Sequence, residues 1–164
     1  MKKISLQQKK RWLPPFFKTT YFKMLVNFYL PYMGAGIKIT NITEDFRRFD
    51  VSMKLRLYNR NFVYSHFGGS LYAMADPFYM FILMENLGTK YIVWDKAAKI
   101  DFVKPGTGTV LATFEVNEEE LNAIKEEVDA KGKMNKIVHA EIKSETGEVI
   151  ARVEKVLYIR KLKE

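Results

Sequence analysis

Residues 69–87 constrain the fold more than any other stretch, because Leu71, Met74, Phe78, Phe81, Ile82, Leu83 and Leu87 leave that segment almost no polar face. A helix that is apolar nearly all round has no side for water and must be enclosed. The flanking residues supply a wall. Phe49, Val51, Met53, Leu55 and Leu57 alternate with Asp50, Ser52, Lys54 and Arg56, which predicts strands over 36–42 and 45–57 with one wet face. Ahead of them, Phe17, Tyr21, Met24, Leu25 and Phe28 fall at helical spacing, predicting a helix over 16–31 that starts after Pro14-Pro15. Pro77 lacks an N–H and clashes with the carbonyl of residue 73, so a kink is expected inside the enclosed helix.

Beyond Gly88 the chain reads as a strand over 91–103, a turn Lys104-Pro105-Gly106-Thr107-Gly108 and an antiparallel return over 109–116. Asn117 then caps a helix that carries Glu118, Glu119 and Glu120 in its first turn and ends at Gly132. Residues 136–144 and 148–160 close the chain as a hairpin. The order predicts an α+β fold, an antiparallel sheet wrapped around a long central helix, with an extra helix at the N-terminus.

Length and charge narrow the classes of function. At 164 residues and 48% hydrophobic content, one folded domain is expected, with residues 1–35 as a basic N-terminal segment and helix and 36–164 as the domain proper. Cysteine is absent and His66 and His139 are the only imidazoles, so no metal site is expected; no cofactor is expected either. The net charge of +8 is uneven: residues 1–18 carry +6 and the other 146 only +2. That localisation argues against a nucleic-acid groove across the fold. The polar run Gln7-Gln8-Lys9-Lys10 interrupts any secretory leader, and Met24–Leu30 is too short to span a bilayer, so a cytoplasmic protein is expected.

The chemistry gathers at Gly68-Gly69 and Asp76. Adjacent glycines let backbone N–H groups approach a ligand closely, and the helix that follows aims its positive dipole end there, which suits a developing oxyanion. Asp76 lies seven residues past Gly69, ~10 Å farther along the axis at ~1.5 Å per residue. The two can serve one reaction only if they come from different subunits, so a two-fold dimer is expected. A His66–Ser70–Asp76 triad is disfavoured, because Ser70 and Asp76 fall on different helix faces and no GxSxG elbow surrounds Ser70.

Two motifs resemble the hotdog-fold acyl-CoA thioesterases, in particular the PaaI-like group and the bacterial branch beside it. The first is Asn61 followed by Gly68-Gly69, Leu71-Tyr72 and Ala75-Asp76; the second is Ile100-Asp101-Phe102-Val103-Lys104-Pro105-Gly106. The resemblance covers roughly residues 36–160, by the order of elements. It implies a sheet curled around the long helix, dimers joined edge to edge, and two sites at the subunit interface. It also implies roles: Asp76 as the catalytic acid, Gly69 with Gly68 as the oxyanion donor, and Asn61 as the residue that orients water or carbonyl. The family's histidine stands immediately before the glycine pair, whereas here Phe67 holds that position and His66 lies one residue earlier.

The resulting expectation is hydrolysis of an acyl-CoA or other carrier thioester by a homodimer, or a tetramer of paired dimers, with coenzyme A entering as part of the substrate. Lys96, Lys99 and Lys104 are candidates for its phosphates. The alternative is a non-catalytic acyl-CoA or fatty-acyl binder using the same pocket. The basic start, with Trp12, Phe16, Phe17, Tyr21 and Phe22, also suits contact with an anionic membrane surface on the inner face, although packing of that helix over the sheet is the preferred reading.

Overall fold

A computed structural model describes residues 15–162. The basic stretch from Lys2 to Arg11 and Trp12 lie outside the described residues, as do the side chains of Phe16 and Phe17. Eleven elements follow one another: α1 (Pro15–Asn27), α2 (Leu30–Ala35), β1 (Ile37–Ile42), β2 (Arg48–Lys54), α3 (Gly68–Ala75), α4 (Phe78–Leu87), β3 (Tyr91–Phe102), β4 (Thr109–Glu115), α5 (Glu118–Lys131), β5 (Lys133–Ser144) and β6 (Val149–Lys161).

The apolar segment is enclosed as its composition demands, but it is two helices. Pro77 has no N–H to continue the ladder, so α3 stops at Ala75 and α4 restarts with the Phe81 N–H on the Pro77 carbonyl at 2.8 Å. Met74, Ala75, Phe78, Ile82 and Leu83 are fully buried along this broken rod. Phe78 sits at its centre, stacked on Phe114 of β4 at 4.9 Å and tilted against Phe49 of β2 at 5.6 Å. Burial of one such ring contributes about 1.5–3 kcal/mol.

The six strands form a single antiparallel sheet in the order β1-β2-β4-β5-β6-β3. The hairpin expected between 91–103 and 109–116 is therefore overturned. β3 pairs with β6, Ile100 opposite Val153, and β4 pairs with β2 and β5, Val51 opposite Ala112. Period-two alternation locates a strand but does not select its neighbour. The β5–β6 hairpin forms as expected around Glu145-Thr146-Gly147. The helix expected over 16–31 is also divided, with Pro31 in the first turn of α2. Proline is tolerated there because that N–H has no intrahelical partner.

The two sheet edges differ. On β1, the Asn27 side chain from α1 takes both outward groups of Ile39, accepting from its N–H at 2.8 Å and donating to its carbonyl at 3.1 Å. Phe22 anchors the same helix edge-on against Phe46, Phe49 and Phe81. That edge is covered. Among the described residues no strand pairs with the outer edge of β3, a 12-residue strand, and only the Tyr91 N–H at its start is taken, by the Gly88 carbonyl at 3.2 Å.

Candidate active site

The loop between β2 and α3 delivers the glycine pair, and its polar side chains hold its shape. Asn61 accepts from the N–H groups of Val63 and Ser65 at 3.0 Å each and donates to the Ser65 hydroxyl at 2.9 Å. Its amide is thus spent inside the loop. Asn59, 3% exposed, donates to the Ala35 carbonyl at 2.8 Å and the Lys54 carbonyl at 3.0 Å, tying the loop to α2 and β2.

His66 is buried and fastens the loop to the turn that follows β3. Its N–H donates to the Gly106 carbonyl at 2.9 Å, and its Nε2 lies 3.1 Å from the Gly108 carbonyl. A carbonyl can only accept, so Nε2 carries the proton and Nδ1 is left as a bare lone pair, buried and without a partner. Burial lowers the His66 pKa, against the raising effect of the Gly108 contact.

Phe67 precedes α3 and offers no side-chain oxygen to cap it. Its carbonyl takes the N–H groups of Ser70 and Leu71, while those of Gly68 and Gly69 have no acceptor among the described residues. A Cβ built on Gly68 would lie 3.0 Å from the Phe102 ring, and one on Gly69 would lie 2.5 Å from the Phe67 ring. The glycine pair therefore presents two open donors between two phenyl rings, and Phe67 and Phe102 are each 57% exposed.

Asp76 closes the other end of α3. Over the eight residues of that helix the two ends stand ~12 Å apart at ~1.5 Å per residue. Asp76 Oδ1 accepts from the Tyr72 hydroxyl at 2.9 Å and from the Lys155 ammonium at 3.0 Å. Lys155 also donates to the Asp76 backbone carbonyl and to Asp95 Oδ2, the latter at 2.9 Å. The Asp76 side chain stays 44% exposed, and Oδ2 accepts no hydrogen bond among the described residues.

In the sequence Lys155, Asp95 and Tyr32 carry no motif, and Tyr72 has a place in the glycine motif but no assigned role. Lys155 lies on β6 in the inward series Ala151, Val153, Lys155, Leu157, Ile159, where a charged residue breaks an otherwise apolar alternation. That break was the available signal. Burial raises the Asp95 pKa, with Lys155 pulling it down and Asp76 adding to the rise. The Tyr72 phenol is pushed up to about 12 by burial and by its bond to Asp76. Burial, reinforced by the charge of Asp76, drives the Tyr32 phenol well above its ordinary value. Its hydroxyl, brought in by α2, and Asp95 Oδ1 are both buried without a partner.

The candidate lysines lie along β3 and its turn. Lys99 pairs with Asp101 at 2.9 Å and Lys104 pairs with Glu148, whereas Lys96 is exposed with no ion pair among the described residues. His139 is on the outer face of β5, 3.2 Å from Glu154.

The family model described as Domain of unknown function (DUF4442) matches residues 18–159. No curated protein sequence matches the chain. Among solved structures, the chain is similar to the Pseudomonas aeruginosa protein PA5026, described as of unknown function and a probable thioesterase, with TM-score 0.79, 16% identity, and 87% of this chain and 95% of that one covered. It is similar to the thioesterase HI1161 of Haemophilus influenzae at TM-score 0.66 and 15% identity, covering 89% and 92% of the two chains. It is also similar to the PaaI protein from the phenylacetic acid degradation operon of E. coli, at TM-score 0.61 and 18% identity, covering 91% and 94%. The fold is the hotdog fold.

The depressed His66 pKa has a consequence for stability. Its contribution is present above the unfolded value of about 6.5 and is lost as pH falls through the folded value. The melting temperature is expected to fall between pH 7.5 and 5.5, and His66→Gln, which keeps a donor but cannot titrate, to flatten that slope. Parallel slopes in the two proteins, followed by circular dichroism, would assign the loss to other groups.

Proposed function

The chain belongs to the DUF4442 family, and we propose that this protein hydrolyses the thioester of an acyl-CoA, or of another acyl carrier, at a site shared between two copies. The observation that carries the reading is the state of Asp76: one oxygen is fixed by Tyr72 and Lys155, and the other is left for solvent. In this mechanism Asp76 Oδ2 takes a proton from water as the water oxygen attacks the thioester carbon. The Gly69 N–H, with Gly68 and the α3 dipole, receives the oxyanion. The C–S bond then breaks, and the leaving thiolate takes the proton from Asp76. Neighbours of the same fold that are called thioesterases support this class of chemistry.

Asn61 and His66 serve this site by holding the loop, and Lys96 is the lysine best left to meet the coenzyme A phosphates. The ends of α3 stand too far apart to act on one carbonyl within one chain, which calls for a second copy. The open edge of β3 suits it, since an uncovered strand of this length is a template for pairing. Asp95 lies beside Asp76 through Lys155, and Phe102 lies beside Gly68. Antiparallel pairing of two β3 strands brings residue 95 of one copy near residue 102 of the other when the two-fold passes by Ala98 or Lys99. One protomer's Asp76 then approaches its partner's glycine pair.

Contact with a membrane surface fits the N-terminal helices. α1 packs inward through Phe22 and Val26, yet Tyr21, Met24, Leu25, Phe28, Tyr29 and Leu30 are each at least half exposed on its outer side and on α2. No acid precedes Glu44, while eight Lys and Arg residues do. An exposed apolar helix face next to a stretch of sequence rich in Lys and Arg is of the kind that suits an anionic bilayer at the inner face of a cell membrane. None of the described helices is long and apolar enough to cross one.

Asp76→Asn is expected to reduce hydrolysis of short, aromatic and long acyl-CoAs by about 10²–10⁴-fold while leaving the oligomer intact. Binding of those acyl-CoAs without turnover by the unaltered protein would favour the binding protein instead. Because the chain has no cysteine, Ala98→Cys or Lys99→Cys is expected to give a disulfide-linked dimer on mild oxidation. A cysteine replacing Glu126 on α5 serves as the negative control, and equal cross-linking at all three positions would remove the β3 pairing. Flotation with phosphatidylglycerol vesicles is expected to carry the protein, and Leu25→Glu/Phe28→Glu to release it. Equal binding of both proteins would rule out the α1 face.

A further inference from the structure

We propose that Lys155 is a positioning residue for hydrolysis, clamping Asp76 at the break between α3 and α4 so that Oδ2 stays directed to the reacting water, with Asp95 holding the lysine in turn. The inference rests on the reading of Asp76 as the water-activating group.

The register of β6 puts Lys155 where an aliphatic residue belongs. Its neighbours on the inward face are Val153 and Leu157, and the lysine is 1% exposed. A buried ammonium is tolerated only when its three donors are all satisfied, and here they are: the Asp76 carbonyl, Asp76 Oδ1 and Asp95 Oδ2. Neutralising the lysine needs just one carboxylate, and Asp95, whose side chain is 20% exposed, supplies it. The two remaining donors both go to Asp76, the more exposed of the two acids.

Those two bonds restrain different degrees of freedom. The carbonyl bond pins the backbone at the point where Pro77 has interrupted the helix, and among the described residues Lys155 is the only donor to that oxygen. The carboxylate bond shares Oδ1 with the Tyr72 hydroxyl, so two donors fix the rotation of the group and both leave Oδ2 alone. A general base aimed this way loses little orientational freedom on reaching the transition state, and small misplacements of such groups have large effects on rate.

The arrangement is anchored from three elements: α3 through Tyr72, β3 through Asp95 and β6 through Lys155. The Tyr32 hydroxyl is buried without a partner, close enough to the two acids to feel the charge of both. No alternative donor replaces the lysine among the described residues.

The test uses the full chain and follows thiol release from hexanoyl-CoA and phenylacetyl-CoA, unobscured by protein thiols because cysteine is absent. Lys155→Met/Asp95→Asn removes both buried charges together, so that the fold is not left with an unpaired ion. The double variant is expected to melt near the unaltered protein, with kcat lower by about 10²-fold and KM within about threefold. Lys155→Ala is expected to regain kcat on addition of propylammonium, which refills the vacated space with a cation, while Asp76→Asn is not rescued. A folded double variant with kcat within threefold of the unaltered protein, or one in which KM alone changes, overturns the inference even where Asp76→Asn is inactive. Full turnover by Asp76→Asn would instead overturn the role of Asp76 itself. A crystal structure of the double variant provides a readout independent of turnover: the Asp76 carboxylate is expected to rotate away from Tyr72, and an unchanged orientation overturns the clamp.

Discussion

Everything in this molecule is arranged around an apolar rod that cannot face water. Phe78, stacked on Phe114 and tilted against Phe49, joins that rod to the middle of the sheet, and the inward residues of β2, β4, β5 and β6 close around it. Since the hydrophobic effect is proportional to area and has no direction, it requires enclosure without prescribing which strand lies beside which. Strand order then follows from how the sheet can curl around the rod. This is how β3 and β4, consecutive in the chain and separated by a short turn, come to lie apart, β4 inside the sheet and β3 at its edge with β5 and β6 between them.

Breaking the rod at Pro77 has a local cost that the fold turns to use. A continuous helix would leave Asp76 as one more residue of a buried face. The interruption instead places it at a helix end, where its carbonyl and carboxylate can both be gripped by Lys155. The buried atoms of the polar cluster that results are hydrogen-bonded apart from the Tyr32 hydroxyl and Asp95 Oδ1, and Asp76 Oδ2 is left unbonded on its partly exposed carboxylate. A buried group of charges is stable only as a set, so these residues make one unit although they are scattered from position 32 to position 155.

The sheet edges divide the surface in a similarly physical way. Asn27 imitates a neighbouring strand by pairing with both outward groups of Ile39, which closes the β1 side within the chain. At β3, beyond Tyr91, the outward backbone groups have no strand beside them among the described residues. One covered edge and one open edge make a molecule that can be extended in a single direction, and the open edge runs past both ends of α3.

The amino-acid order alone determined the elements, the enclosed segment, the α+β class and the placement of Gly68, Gly69 and Asp76 at a helix, because these depend on periodicity, on proline and glycine stereochemistry and on neighbours a few residues away. Even the break at Pro77 was legible as a kink. The pairing of β3 with β6, the commitment of Asn61 to its own loop and the convergence of Tyr72 and Lys155 on Asp76, with Asp95 behind the lysine, were decided only in three dimensions. Lys155 left one trace, an inward charge in an apolar alternation, but its partners lie 60 and 79 residues away. Contacts of that range are selected by the packing of the whole sheet around the rod, and no local pattern encodes them.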